Sequence, residues 1–322
     1  MSQLQYNLQS PPKDGISSMK FSSHNDHLLV SSWDRNVYLY DTASNRLLQN
    51  YSHRGAALDC CFITASQSAS VGLDQKVIIY DFARDNNVCL GTHSAGISKV
   101  RYYRERSMLV TGSWDKTIKI WDPTQSRPLI ATLPQHGKVF AMDVNSTRLV
   151  VAHSTKTISV YDLRKFDKPE QERQSLLRHQ IRTLATSNDQ TGFAVGSIEG
   201  RIAIELFDNQ KEKKDNQKVG LQNFAFKCHR DTSSKPVLIY PVNSIAFQPQ
   251  SQIFASGGGD NIVNIWNPIN KKRIFQIRDF PTSISSVAWN KTGQFLAIAS
   301  SYTYERGEIE HPPDSIIIKK MN

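Results

Sequence analysis

Blocks of alternating apolar and polar residues return along this chain roughly every 40 positions, each ending in an aromatic residue and an acid or amide. The clearest are SSWDRNVYLYD (31–41), VGLDQKVIIYD (71–81), TGSWDKTIKIWD (111–122), HSTKTISVYD (153–162) and GGGDNIVNIWN (257–267). Their closing pairs, Tyr40–Asp41, Tyr80–Asp81, Trp121–Asp122 and Tyr161–Asp162, fall 40, 41 and 40 residues apart. That is the period of a four-stranded sheet which cannot cover its own apolar faces and must stack radially on its neighbours. A degenerate copy, SIEGRIAIEL (197–206), fills the gap before the last of them.

Six copies are thus visible, and a seventh is expected in residues 284–320, where SISSVAW, QFLAIASS and SIIIKK supply only three strands. The missing strand is predicted at the start of the chain, where Leu4, Tyr6 and Leu8 alternate with polar residues. Sharing one blade between the two ends leaves no open sheet edge. The predicted fold is therefore all-β, a seven-bladed β-propeller with its last blade closed by the N-terminal strand. No Pro- or Ser-rich linker divides the ladder, so residues 1–322 are expected to form one domain. Two stretches break the pattern. Residues 207–223 are charged and poor in apolar side chains and read as a solvated loop of blade five, Lys211 included, rather than a nuclear import signal; residues 302–314 replace a tight turn of blade seven with a long excursion, a common seat of function.

Composition narrows the class further. The lack of a long apolar run or a basic and apolar leader predicts a soluble intracellular protein without membrane contact. Cys60 and Cys61 are adjacent, Cys89 and Cys228 isolated, which indicates neither a disulfide framework nor a zinc site. His93, Ser113 and Asp115 could be drawn as a catalytic set. The same ingredients recur, however: His53, His93, His136 and His179 precede successive first strands, and Asp34, Asp74, Asp115 and Asp260 occupy the turns. A catalytic group is needed once and a blade staple many times, so no enzyme, no metal and no cofactor are expected.

Function is then sought where the copies differ. Before the turn aspartate stand Leu73, Ser154, Ile198 and Gly259 in four blades, but Trp33 and Trp114 in blades one and three. A large aromatic at a rigid hairpin tip makes a good interface anchor, the competing reading being packing between blades. Blade five offers charge: Arg201 at the start of its third strand, Arg182 where the chain enters its first, and Lys227 with Arg230 where the fourth returns. These four cations are expected to converge. With net charge +10 and pI near 9.4, they suggest an acidic or phosphorylated partner. Direct RNA binding is disfavoured by the few exposed aromatics interleaved with the cations.

The copies resemble WD-repeat propellers over essentially the whole chain, in which a His, Ser or Thr, Asp and Trp set forms a buried hydrogen-bond network. PPKDGISSMKFS, VSSWD, TGSWDKTIKIWDP, GSIEGR, FAFKCHR, YPVNSIAF, NKKR, IASSYTYE and EHPPD are more specific. They resemble the spindle-checkpoint propellers of the third budding-uninhibited-by-benzimidazole protein family. That resemblance implies a non-enzymatic adaptor, monomeric on its own, at the nucleus and mitotic kinetochore and in part cytoplasmic. Its partners would be checkpoint kinases or pseudokinases carrying a nucleoporin-binding-type motif, and a phosphorylated kinetochore scaffold. By motif, Trp33, Trp114 and Arg182 would meet the kinase segment, and Arg201, Lys227 and Arg230 the phosphothreonine. The alternative is the sister family of messenger-RNA export propellers, which bind a nucleoporin through a related segment. The start close to the first strand, SSYTYE and EHPPD favour the checkpoint family.

Overall fold

In the computed structural model, which describes residues 4–207 and 222–321, each sequence copy forms the end of a second strand, a tight turn and a third strand. Blade one comprises Ile16–Phe21, His27–Ser32, Asn36–Asp41 and Arg46–Ser52, and six more antiparallel four-stranded sheets repeat the plan. First strands begin at Ile16, Ala57, Ile97, Val139, Ile181, Val242 and Ile284. Each packs against the first strands of both adjacent blades, blade seven against blade one included, so the ring closes around a central channel. The core lies as seven apolar wedges between neighbouring blades, of which Leu28, Val30, Tyr40, Ala297, Ile316 and Ile318 form the one joining blades one and seven. Most of the charged loop read at 207–223, with Lys211, lies outside the described residues.

Blade seven closes as the alternation predicts. Gln5–Asn7 pairs with Ser315–Lys320 in the register Gln5↔Lys319, Tyr6↔Ile318 and Asn7↔Ile317. Leu8 is buried in the wedge between blades seven and one, and the Tyr6 hydroxyl donates to the Thr42 carbonyl at 2.5 Å. Leu4 departs from the prediction: it stands exposed just ahead of the outermost strand, its carbonyl accepting Lys320 N–H at 2.9 Å.

The repeated histidines do staple blades, though not at all the positions read from the sequence. His53 joins Asp74 (3.0 Å) and Ser70 (2.7 Å), and His93 joins Asp115 (2.9 Å) and Thr111 (2.8 Å). His229, overlooked in the sequence, joins Asp260 (2.7 Å) and Ser256 (2.8 Å). Trp121 and Trp266 donate their indole N–H groups to Thr111 and Ser256, each at 2.8 Å. Burial works against the Asp115 carboxylate, but donors from Thr117, Ser94 and His93 outweigh it and hold its pKa down to about 2. His136 and His179 are exceptions, lying exposed beside Glu172 and Glu199. Backbone bonds mark the slip: the N–H groups of His53, His93, Gln135 and Ser175 bond the equivalent turns at Arg35, Gln75, Lys116 and Lys156, so Gln135 and Ser175 stand where the histidine does in blades two and three, whereas in blade six that bond falls to Cys228 and the stapling His229 follows it.

In blade four His153 instead comes from the second strand, with Nε2 at 2.9 Å from Gln135 Oε1 and Nδ1 buried without a partner among the described residues. Burial, then the neighbouring His136, depresses its pKa to about 4. The unfolded chain therefore binds this proton more tightly. Stability from His153 is full above its ordinary pKa of about 6.5 and drains away as pH falls towards 4, by on the order of 2–3 kcal/mol. Urea midpoints measured across pH 7 to 4 should fall for the parent and fall distinctly less for His153→Gln; parallel curves would mean that this imidazole does not drive the loss.

Candidate partner-binding face

One irregularity, repeated seven times, builds the site. In every blade the pairing of first and second strands slips by one residue just after the first pair. Such a bulge leaves an extra residue and re-aims its side chain. The extra residues are small or polar in four blades (Ser17, Ser98, Asn243, Ser285), apolar in two (Leu58, Phe140) and charged only in blade five, as Arg182. All seven line a single cleft of about 750 Å³ at the channel mouth. Several also clasp the next blade: Ser17, Ser98 and Asn243 donate to the carbonyls of Ala57 (2.6 Å), Val139 (2.7 Å) and Ile284 (3.0 Å). Arg182 makes no hydrogen bond or ion pair among the described residues. Desolvation inside the ring weakens its hold on the proton, and Glu305 works the other way.

Aromatic residues wall this cleft. Trp33 and Trp114 sit at the turns between second and third strands, their backbone N–H groups bonded to Gly15 (2.9 Å) and Gly96 (3.0 Å). Each indole lies across its glycine: a Cβ at Gly15 would fall 3.3 Å from Trp33, and one at Gly96 3.1 Å from Trp114. Trp33 remains 50% exposed, whereas Trp114 is half-buried and shares its position over Gly96 with Leu73 of blade two. Trp114 therefore combines both sequence readings, inter-blade packing and an open ring face. The excursion at 302–314 adds Tyr302 and Tyr304, whose rings lie 5.3 Å apart. Tyr302 is buried and accepts Arg306 N–H at 2.9 Å, while Tyr304 stands 59% exposed. Of the cleft's aromatics only Trp33 and Tyr304 are exposed, in keeping with the expectation of few exposed rings among the cations. Five aromatic rings from four separate segments share the cleft with Arg182 and Lys99, a gathering that only the closed ring produces.

The blade-five cations divide. Arg201 and Lys227 are direct register partners on the third and fourth strands, so their side chains rise side by side. Lys227 is exposed without an ion pair among the described residues, and Arg201 is 34% exposed. Arg230 is mostly spent on structure: it donates to the Glu199 carbonyl (2.9 Å) and bonds Gly200 O (3.4 Å). Gly200, at φ +60°, is needed there, since a Cβ would fall 2.7 Å from Cys228 O. Glu199, unremarked in the sequence, lies within 3.4–3.7 Å of Arg201, His179 and Arg230. Arg182 does not join this group; its bulge turns it into the cleft. The expected convergence of four cations thus resolves into Arg182 at the channel mouth and a second cluster around Glu199.

A model of the WD40 family (WD domain, G-beta repeat) matches residues 2–41, 86–122 and 226–267. The structure of U3-55K superimposes with a TM-score of 0.83 over 98% of each chain, at 15% identity, a likeness of fold alone. The messenger-RNA export factor GLE2 of Chaetomium thermophilum is 34% identical over 93% of this chain and 85% of its own. The mitotic checkpoint protein BUB3.1 of Arabidopsis thaliana is 43% identical over 98% of this chain and 92% of its own. With that identity sustained along nearly its whole length, the chain belongs to the BUB3 family of WD-repeat mitotic checkpoint proteins.

Proposed function

We propose that this chain is a non-enzymatic, single-domain adaptor of the spindle assembly checkpoint. Its cleft takes a short segment of a checkpoint kinase or pseudokinase, and Arg201 with Lys227 grips a phosphothreonine of a kinetochore scaffold. The observation that carries the reading is the spare charge at Arg182. It is the one charged residue among seven bulge positions, it has no ion pair of its own among the described residues, and it shares its cleft with Trp33 and Trp114. An acidic side chain on an otherwise apolar segment would satisfy it, with the two indoles burying the neighbouring residues. Arg230 acts as a brace for the turn carrying Glu199 rather than as a direct phosphate ligand. Asp14 and Glu305 beside the cleft oppose a nucleic-acid backbone, which argues for a protein segment despite the aromatic walls.

Trp33→Ala is expected to weaken binding of the kinase segment by about 2 kcal/mol, roughly thirtyfold, with Trp114→Ala close behind. Calorimetry reads the affinity and circular dichroism the fold; unchanged affinity in both variants would remove the indoles from the site. The similarity to GLE2 supports a second reading, a messenger-RNA export factor that docks a nucleoporin segment in the same cleft. Capture from mitotic extract followed by mass spectrometry separates the two: checkpoint kinases support the first, a nucleoporin with export factors the second.

A further inference from the structure

We propose that the central channel below the cleft binds a compact, multiply charged phosphate anion of the oligophosphate class. The inward faces of the first strands line a polar cavity of about 300 Å³ that opens into the cleft through residues common to both, including Lys99, Arg182 and Ser285. Lys20, Lys99, Arg101 and Arg182 all point into it. Two carboxylates face them, Asp143 and Asp59, and both are held by Arg101, although Asp59 Oδ1 keeps no hydrogen-bond partner among the described residues. Arg101 bonds Asp59 at 2.6 Å and Asp143 at 2.9 Å, and Thr186 donates to Asp143 through both its N–H and its hydroxyl. Glu305, whose charge acts on Arg182, accepts from Ser283 at 3.2 Å.

The two ammonium groups are left over. Neither Lys20 nor Lys99 makes a hydrogen bond or ion pair among the described residues; Lys99 feels the Asp59 carboxylate as an opposite charge and Arg101, Lys20 and Arg182 as like charges. Burial makes the Lys99 proton easier to lose, and the Arg101 charge followed by burial does the same at Lys20. Ser285 Oγ, at the junction of channel and cleft, is buried with no partner among the described residues and is free to donate. Confined cations with unmet donors are costly until an anion joins them, and an anion carrying several oxygens can accept from all three groups at once. The cavity of about 300 Å³ is closed laterally by the ring, which favours a small free anion over a phosphate carried on a macromolecule.

The test uses the full chain with sodium tripolyphosphate, against chloride at matched ionic strength. Thermal unfolding should shift upwards with tripolyphosphate, because a ligand that binds only the folded ring stabilises it. Calorimetry should show Lys20→Gln and Lys99→Gln each binding roughly tenfold or more weakly, while Lys168→Gln, on the exposed opposite side of blade four, binds as the parent does. Without the anion, the two channel variants should melt at or above the parent, since each loses an unpaired buried charge. The proposal is overturned if tripolyphosphate does no more than chloride, or if the channel variants melt below the parent. It is equally overturned if Arg201→Ala abolishes binding while both channel variants keep it, for the anion would then sit on blade five.

Discussion

Removing residues 1–9 should destabilise the protein by about 3–5 kcal/mol, lowering its melting midpoint by roughly 5–10 °C, and should leave it prone to aggregate. The deletion takes away the fourth strand of blade seven and exposes the backbone of Ser315–Lys320 as a free sheet edge. It also removes Leu8 from the wedge where it meets Ile16, Tyr40 and Ile316. Leucine truncations in packed cores alone cost about 2–5 kcal/mol, so Leu8→Ala should reproduce a large part of the loss while keeping the strand. Leu4→Ala, at an exposed position, should do almost nothing. A deletion variant with an unchanged midpoint and no added aggregation would mean that the ring does not depend on a blade shared by both ends.

What could be read in advance tracks what repeats. Strand alternation, the turn aspartates and the 40-residue period recur, so blade count and closure followed from them, and the two odd tryptophans stood out against the copies. The cleft floor was harder to see because it depends on a bulge, which changes no residue type in a fixed way: Ser17, Leu58, Phe140 and Arg182 share a place in the ring and nothing else. The available signal was positional, the residue immediately after each first-strand start. Histidine slots were misassigned in blades four and five for a related reason. Proximity in sequence suggested His136 and His179, whereas the backbone bond made by His53 and His93 is made there by Gln135 and Ser175. Glu199 escaped notice because an acid flanked by a glycine reads as an ordinary turn residue. Only its distances to Arg201, His179 and Arg230 reveal that it already occupies the centre of the cationic cluster.

Glu199 also sharpens what the phosphate site must do. A phosphothreonine arriving at Arg201 and Lys227 meets a carboxylate 3.4 Å from the Arg201 guanidinium, so the dianion must draw that side chain away from Glu199. The exchange is favourable because Lys227 has no ion pair among the described residues and a phosphate accepts from both residues, whereas the ion pair of Glu199 among these is with Arg201 alone of the two. Arg201→Ala and Lys227→Ala should therefore each abolish most of the preference for a phosphorylated over an unphosphorylated scaffold peptide, about 1.5–3 kcal/mol for each charged hydrogen bond lost. Glu199→Gln should strengthen phosphopeptide binding, since it removes the competing charge while leaving the Arg230 bond to the backbone carbonyl in place. Binding of the kinase segment to the cleft should change little in all three. Lys168→Ala removes the same unit of charge from the exposed far side of blade four and serves as the control. If it weakens phosphopeptide binding as much as Arg201→Ala does, diffuse positive charge explains the affinity and the paired grip is wrong. If Glu199→Gln weakens it instead, the carboxylate is holding Arg201 in position for the phosphate rather than competing with it.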